Sequence, residues 1–367
     1  MVYAVPILVF MDDVSGNISK QWNKHHVVYM SNGNMPREMI DKEFCVRFVS
    51  SSLHATPMEL MDALGSSIKK AAENPIVAYD SINHEDVLLE PYPLLFAGDN
   101  PMQAEECSHG GLNCNYFCRT CMVGGTKDYR RTDAGFEALF QSSTPRDPND
   151  TVTHVRKHMS TVMQPGGQSK FKKAVAETGC SDSLSREILD ALAALGTKLR
   201  KKDKKNPENQ SMDEEEVLKV LEKEFNQWLD GRCKADCINP LLGMPGVNIH
   251  MDTPTEILHT VLLGAVKYFW AQSVKVIESD GHLNVFQTRL ASIDTAGLKD
   301  PDLRAEYLIK YKGSLIGKHF KSLAQVMPFL IFDLVSSDLL DAWTIIGRLV
   351  VLLWHTTIQN TEEYIVR

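Results

Sequence analysis

Short apolar runs broken by polar turns occupy the first hundred residues, and helical spacing dominates later. Residues 4–10 form an apolar run that leads to Asp12 and Asp13. Residues 26–30 make a second run, closed by the turn punctuation Ser31-Asn32-Gly33-Asn34, and residues 44–49 make a third. The period then changes: over 57–72, Leu60, Ala63, Leu64 and Ile68 fall on one helical face. Two β-like pieces follow at 76–79 and 87–89, and an apolar run over 93–97 delivers Gly98 and Asp99. The pattern predicts three strands, a helix, and a later strand with an acidic residue at its tip.

Beyond this point the polar stretch 128–149 reads as loop. Amphipathic helices are predicted over 184–201 and 213–229, joined by the breaker-rich Lys204-Lys205-Asn206-Pro207-Glu208-Asn209. From residue 255 onward the pattern is mostly helical, and no internal repeat is visible. The expected fold class is α/β. A mixed sheet with the strand order of RNase H-like folds, in which two neighbouring strands each present a carboxylate, is interrupted by a largely helical insertion and followed by a helical C-terminal part. The expected domains are 1–123 for the first part of that core, 124–246 for the insertion and 247–367 for the C-terminal part.

Charge changes this picture in one respect. The 367-residue chain carries a formal net charge of −8, so any contact with nucleic acid must rest on local patches instead of the global field. The basic run 198–205 reads as a solvated helix end, with a DNA-backbone contact or a nuclear-import signal as the functional alternative. Residues 1–11 lack the basic start of a secretory signal. The apolar run 339–355 is broken by Asp341 and Arg348 and is shorter than the ~20 residues that span a bilayer, so a buried helix and no membrane partner are expected.

The carboxylates carry the candidate chemistry. Acids at the ends of neighbouring strands converge on short side chains, and phosphodiester chemistry with two metals needs such convergence around ions roughly 3.5–4 Å apart. Asp12 or Asp13 and Asp99 are the candidates from strands, with Mg²⁺ (or Mn²⁺) as the fitting ion because it keeps positions for water and phosphate. A third acid would come from a helix, and Glu256 in Asp252-Thr253-Pro254-Thr255-Glu256-Ile257-Leu258-His259 is the candidate. The same residues also read as a capping box, with Thr253 as N-cap and Glu256 at its third position. His259, on the same helical face, could orient Glu256 or touch phosphate. Asp99 and the Asp12-Asp13 pair equally suit strand-ending turns.

Of eight cysteines, four fall between Cys107 and Cys121. Together with His109, the residues Cys107, Cys114, Cys118 and Cys121 give the spacing C-x-H-x4-C-x3-C-x2-C. Zn²⁺ takes four such ligands tetrahedrally. Cys118 and Cys121 come first, then Cys107 and Cys114, with His109 as a substitute. The rival reading is buried thiols. A thioredoxin-like redox pair lacks the surrounding strand–helix pattern, and Cys233 with Cys237 gives a looser, second pair.

Three stretches carry a family resemblance. They are Leu8-Val9-Phe10-Met11-Asp12-Asp13-Val14-Ser15-Gly16-Asn17 with Lys20-Gln21-Trp22-Asn23-Lys24-His25, then Gly98-Asp99-Asn100-Pro101 leading into the cysteines, and Glu256-Ile257-Leu258-His259 followed by Leu263-Gly264-Ala265-Val266-Lys267. They resemble fungal transposon proteins related to the plant CACTA (En/Spm) DDE transposases, over residues 4–360. The resemblance implies an RNase H-like catalytic domain, two Mg²⁺ ions, a helical insertion between the second and third acids, and Glu256 where the family often has Asp. It also implies DNA (transposon ends and target) as partner, a possible homo-oligomer, and a nuclear location. The expected function is metal-dependent DNA cleavage and strand transfer in cut-and-paste transposition. The alternatives are a catalytically inactive, truncated or host-adopted remnant acting as a DNA- or protein-binding module, and a stand-alone nuclease.

Overall fold

A computed structural model of the chain describes residues 1–15, 24–201, 212–233, 237–296, 298 and 303–366. Gly16, Asn17 and Lys20 to Asn23 of the first resembling stretch lie outside the described residues, as do 202–211, which hold part of the basic run and the breaker-rich joint. The chain is mixed α/β and divides into two compact units, Met1–Pro254 and Thr255–Arg367. The segment 247–254 goes with the first unit because its backbone completes the sheet region: Asp252 O accepts from Phe96 N at 2.8 Å.

The first unit is built on a five-stranded mixed sheet of order β3-β2-β1-β5-β4. The strands are β1 (Val2–Ser15), β2 (Lys24–Asn32), β3 (Arg47–Ser52), β4 (Ile76–Asp80) and β5 (Glu85–Ala97). β1, β2 and β3 form an antiparallel meander, and β5 lies parallel to β1 on its other side. The two β-like pieces that the sequence separates at 87–89 and 93–97 are one continuous strand. Pro91 and Pro93 interrupt the pattern but not the ladder. Leu88 N donates towards β1, to Met1 O, so odd-numbered residues face the other neighbour, and β4 ends its pairing at Leu89. The two prolines therefore fall where no amide hydrogen is required. A register shift between Ile7 and Leu8 then brings Leu8 opposite Leu95.

Helix α1 (Pro57–Glu73) starts with a reciprocal capping box: Thr56 Oγ1 accepts from Glu59 N at 3.3 Å and Glu59 Oε2 accepts from Thr56 N at 2.7 Å. Its Met58, Leu60 and Met61 bury against Val9, Met11, Val28 and Phe96 of the sheet. Burying side chains of this size stabilises the fold by ~1.5–3 kcal/mol each. Helix α2 (Asn100–Glu106) follows β5 directly.

Further along the first unit come four longer helices: α3 (Pro148–Thr161), α4 (Gly167–Thr178), α5 (Ser183–Leu199) and α6 (Glu214–Leu229). They pack around their own core of Val155, Phe171, Leu189, Leu192, Leu221 and Phe225. The spacing anticipates α5 and α6. It misses α3 and α4 because their buried faces include polar residues: Thr151 and His158 are buried beside Val155 and Met159. Within 128–149, read as loop, short helical turns form at Tyr129–Arg131, Asp133–Glu137 and Ala138–Phe140.

The second unit is helical, as its pattern predicts. A π-helical segment, Leu258–Val266, runs into α7 (Lys267–Ser279), followed by α8 (Leu283–Ser292), α9 (Ala305–Lys310), α10 (Gly317–Ile331), α11 (Ser337–Leu353) and α12 (Thr361–Val366). Its core centres on Trp270, Phe286, Phe320 and Trp343. Both indoles are satisfied, Trp343 Nε1 by Ser273 Oγ at 2.7 Å and Trp270 Nε1 by Lys312 O at 3.0 Å. No helix is long and apolar enough to cross a membrane among the described residues.

Candidate functional site

Parallel pairing fixes the relation between the first two acids. Phe10 of β1 registers with Ala97, the last residue of β5, so Asp12 lies two residues further along β1 and Asp99 follows Gly98 in the turn that leaves β5. Registered residues of parallel strands point to one face, and residues two apart share it. Val9, Met11 and Phe96 point into the core. Asp12, two residues from Phe10, therefore lies on the face of the sheet that Phe10 and Ala97 share, whereas Asp13 has the opposite parity and is exposed. Asp12 and Asp13 therefore point to opposite faces of the sheet. Asp12 Oδ1 accepts from Asp13 N at 2.7 Å.

Gly98 makes the approach possible. A Cβ there would lie 2.9 Å from Met11 O and 3.1 Å from Met102 Cβ, so only glycine lets β5 turn this close to β1. Asp99 then caps α2: Oδ1 accepts from Met102 N at 2.8 Å, with Pro101 in the first turn. The turn role and the candidate metal role thus fall on one residue, since a cap uses one carboxylate oxygen. Among the described residues no three His, Cys, Asp or Glu side chains gather at this edge.

Glu256 and His259 belong to the second unit and form a contact of their own. Glu256 Oε1 accepts from His259 N at 2.6 Å and meets His259 Nδ1 at 2.8 Å. The expected capping box does not form as drawn. Thr253 does not cap this helix; its hydroxyl donates to Ile249 O at 2.9 Å, and the helix starts only at Ile257. Glu256 itself caps the helix by binding the amide three residues on. The turns that follow are π-helical, a rare form that recurs at functional sites.

The cysteine-rich loop is held by residues that the spacing did not single out. Arg146 is buried, and its guanidinium donates to three carbonyls: Nε to Cys118 O at 2.8 Å, Nη1 to Thr178 O at 2.9 Å and Nη2 to Tyr116 O at 2.9 Å. Its backbone N donates to Thr120 O at 2.9 Å. His250 Nδ1 lies 2.9 Å from Arg119 O, and its Nε2 lies 2.9 Å from Thr151 Oγ1. The carbonyls of Cys118, Arg119 and Thr120 are thus all engaged from behind.

Several predicted zinc donors are committed to the fold. Gly111 N donates to His109 Nδ1 at 3.0 Å, which leaves Nε2 to donate to Tyr116 O at 3.1 Å; both ring nitrogens are used. Burial and then the Arg146 charge hold this histidine near pKa 4, and burial does the same to His250. The Cys107 thiol donates to Ile249 O at 3.4 Å, and burial pushes it up to about 12. Cys114 is buried, and burial raises its thiol as well. Cys118 and Cys121 are partly exposed, and the amide of Thr120 donates to the Cys118 sulfur at 3.4 Å. Among the described residues no three His, Cys, Asp or Glu side chains gather as an ion would need. The donors therefore do not fit the tetrahedral zinc centre the spacing suggests.

Arg119 joins this loop to the acidic edge. Its Nη1 donates to Asn100 Oδ1 at 3.3 Å and its Nη2 to Gln103 Oε1, both on α2 behind Asp99. Close by, Glu106 is fully buried and neither carboxylate oxygen has a hydrogen-bond partner. Burial raises its pKa to about 8, against the opposing pull of Arg119. On the other side, Asn239 ties α2 to the start of α5 through Glu106 O at 2.6 Å and Asp182 Oδ2 at 2.7 Å. The only signal for these residues was Asp182 preceding Ser183-Leu184-Ser185 as a helix cap. Compared with models of known families and with curated proteins, the chain matches none.

Proposed function

We propose that this chain is an RNase H-like catalytic core of the DDE transposase type, which cleaves DNA and transfers strands with divalent metal ions. One observation supports the reading: Asp12 and Asp99 each follow by two residues the registered pair Phe10 and Ala97 of adjacent parallel strands, in a sheet whose first three strands form an antiparallel meander. Bound Mg²⁺ would supply an activated water or 3′-hydroxyl and stabilise the leaving oxygen. The chain's own part is to hold the carboxylates. The β1–β2 ladder, where Asp12 registers with Val27, holds Asp12, and capping of α2 holds Asp99, so neither must be ordered at the moment of reaction. Glu256, the third acid implied by the resemblance, is oriented by His259. DNA is the partner in this reading, in the nucleus, with a homo-oligomer as the form that joins two ends.

The test is nicking of supercoiled plasmid by the purified chain with Mg²⁺ or Mn²⁺. Asp12→Asn, Asp99→Asn and Glu256→Gln should each abolish it, and Asp13→Asn should not. Equal nicking by the Asp99→Asn variant would sink the reading. A folded chain that binds the plasmid without ever nicking it would favour the host-adopted binding module.

A further inference from the structure

We infer that the exposed face of α11 is a two-fold interface between copies of this chain, in which the helix packs antiparallel on its symmetry mate. The inference deepens the homo-oligomer of the proposed function by naming its surface, and it draws on the second unit alone. Helix α11 buries Trp343, Ile346 and Val350 on one side. At 3.6 residues per turn the opposite side is the stripe Asp341, Thr344, Ile345, Arg348 and Leu349, all exposed. Beside it an open groove of about 1230 Å³ lies between α10 and α11, lined in part by Phe329, Phe332 and Val351. Phe329 is 72 % exposed, Ile345 63 %, Phe332 58 % and Val351 55 %. Single exposed apolar side chains are ordinary. Three on one groove, beside a fourth on the adjoining stripe, mark an interaction surface.

Charge on this face selects a second copy as the occupant. The charged residues of α11 are Asp338 and Asp341 towards its start and Arg348 towards its end. Asp341 and Arg348 stand two turns apart, roughly 10 Å along the axis, too far to pair with each other. Among the described residues neither forms an ion pair. In an antiparallel pair whose two-fold axis passes between Thr344 and Ile345, each Asp341 faces the second copy's Arg348, so the pair forms twice. Thr344 and Ile345 meet across the axis, and the rings of Phe329 and Phe332 flank the incoming helix. Two-fold interfaces demand this reciprocity, in which i contacts j and j contacts i. A parallel pair would set Asp341 on Asp341 and Arg348 on Arg348. Antiparallel alignment also brings the positive end of each helix dipole beside the negative end of the other. A face with one acid and one base placed symmetrically about its own centre is complementary to itself.

The experiment measures the mass of the purified full chain by sedimentation equilibrium over a dilution series, without DNA or metal. It can therefore fail while plasmid nicking succeeds, and the reverse. A dimer is expected. Asp341→Arg and Arg348→Asp should each weaken it by about 100-fold or more, because either change sets two like-charged pairs across the axis. Both side chains are exposed, so melting curves should stay in place. Mixing the two variants should restore the dimer: one chain then carries a base at both positions and the other an acid, and both pairs attract. The double variant Asp341→Asn with Arg348→Gln removes the charges without repulsion and serves where a reversal disturbs folding. It should weaken the dimer by about tenfold. The inference is overturned if the parent chain is monomeric at its highest soluble concentration, or if the double variant or either reversal dimerises as well as the parent. It is equally overturned if the mixture of the two folded reversals stays monomeric.

Discussion

The acidic edge and the cysteine-rich loop are both dense in candidate ligands, yet the fold treats them differently. Asp12 and Asp99 are 87 residues apart in sequence, and the parallel ladder registers Phe10 and Ala97, the residues two before each of them. Cys107, His109, Cys114, Cys118 and Cys121 lie within fifteen residues, and among the described residues they do not gather as an ion would need. Strand pairing sets face and register by a period of two, so a strand's tip is a determined place. An irregular loop has no period, and its side chains go wherever buried donors and acceptors need partners. Closeness in sequence is the weaker guide.

The largest expected effect separates chemistry from stability at the acidic edge. Asp99→Asn keeps an N-cap of equal quality, so α2 and the thermal midpoint should hold. Metal-dependent nicking should fall by at least ~10²–10³-fold, the size of losing one group that stabilises a transition state. Plasmid nicking beside a melting curve reads both. A variant that loses its midpoint together with its activity would show that Asp99 serves mainly as a cap.

The loop should show the reverse. Arg146→Met removes a buried cation and leaves the carbonyls of Cys118, Tyr116 and Thr178 without their donor. An unsatisfied buried polar group costs ~1–3 kcal/mol, so the loss should reach at least ~3 kcal/mol in urea unfolding. A loss below about 1 kcal/mol would mean that water replaces the guanidinium and that the loop is open.

These two sites also show what the sequence could and could not tell. The strands, α1, the capping residue before α5 and the Gly98-Asp99 turn are legible because they use local periods and caps. Arg146 and His250 were illegible because an isolated Arg or His carries no spacing signal. Their role arises from carbonyls at residues 116–120, which long-range packing brings to them. Thr253 looked like a cap, but its hydroxyl found Ile249 O instead, and Glu256 took the capping role.

A pH series tests the Arg119 link between the regions. The folded-state pKa of Glu106, about 8, lies above its ordinary 4.5. Its contribution is therefore complete below pH 4.5 and is lost as pH rises through 8, with a slope of at most ~1.4 kcal/mol per unit. His109 and His250 work the other way: lowered to about 4 from 6.5, they contribute fully above pH 6.5 and lose this as pH falls through 4. Glu106→Gln keeps the shape and removes the titration. It should flatten the alkaline limb of stability against pH and leave the acid limb in place. An alkaline limb unchanged in the variant would move the buried charge elsewhere.

The smallest effect discriminates most sharply between the two descriptions of the loop. If Cys107 held a structural metal, Cys107→Ser would remove the ion and with it a large share of folding energy. In the observed arrangement its thiol is fully buried and donates to Ile249 O at 3.4 Å. A serine hydroxyl can make the same bond at the cost of a more polar buried atom. Urea unfolding should shift by only ~1–2 kcal/mol, within the ordinary range for a single buried replacement. Metal content should be the same in the variant and the parent chain. A collapse of the midpoint with loss of zinc from the variant would return Cys107 to a metal centre and join the loop's cysteines into one site.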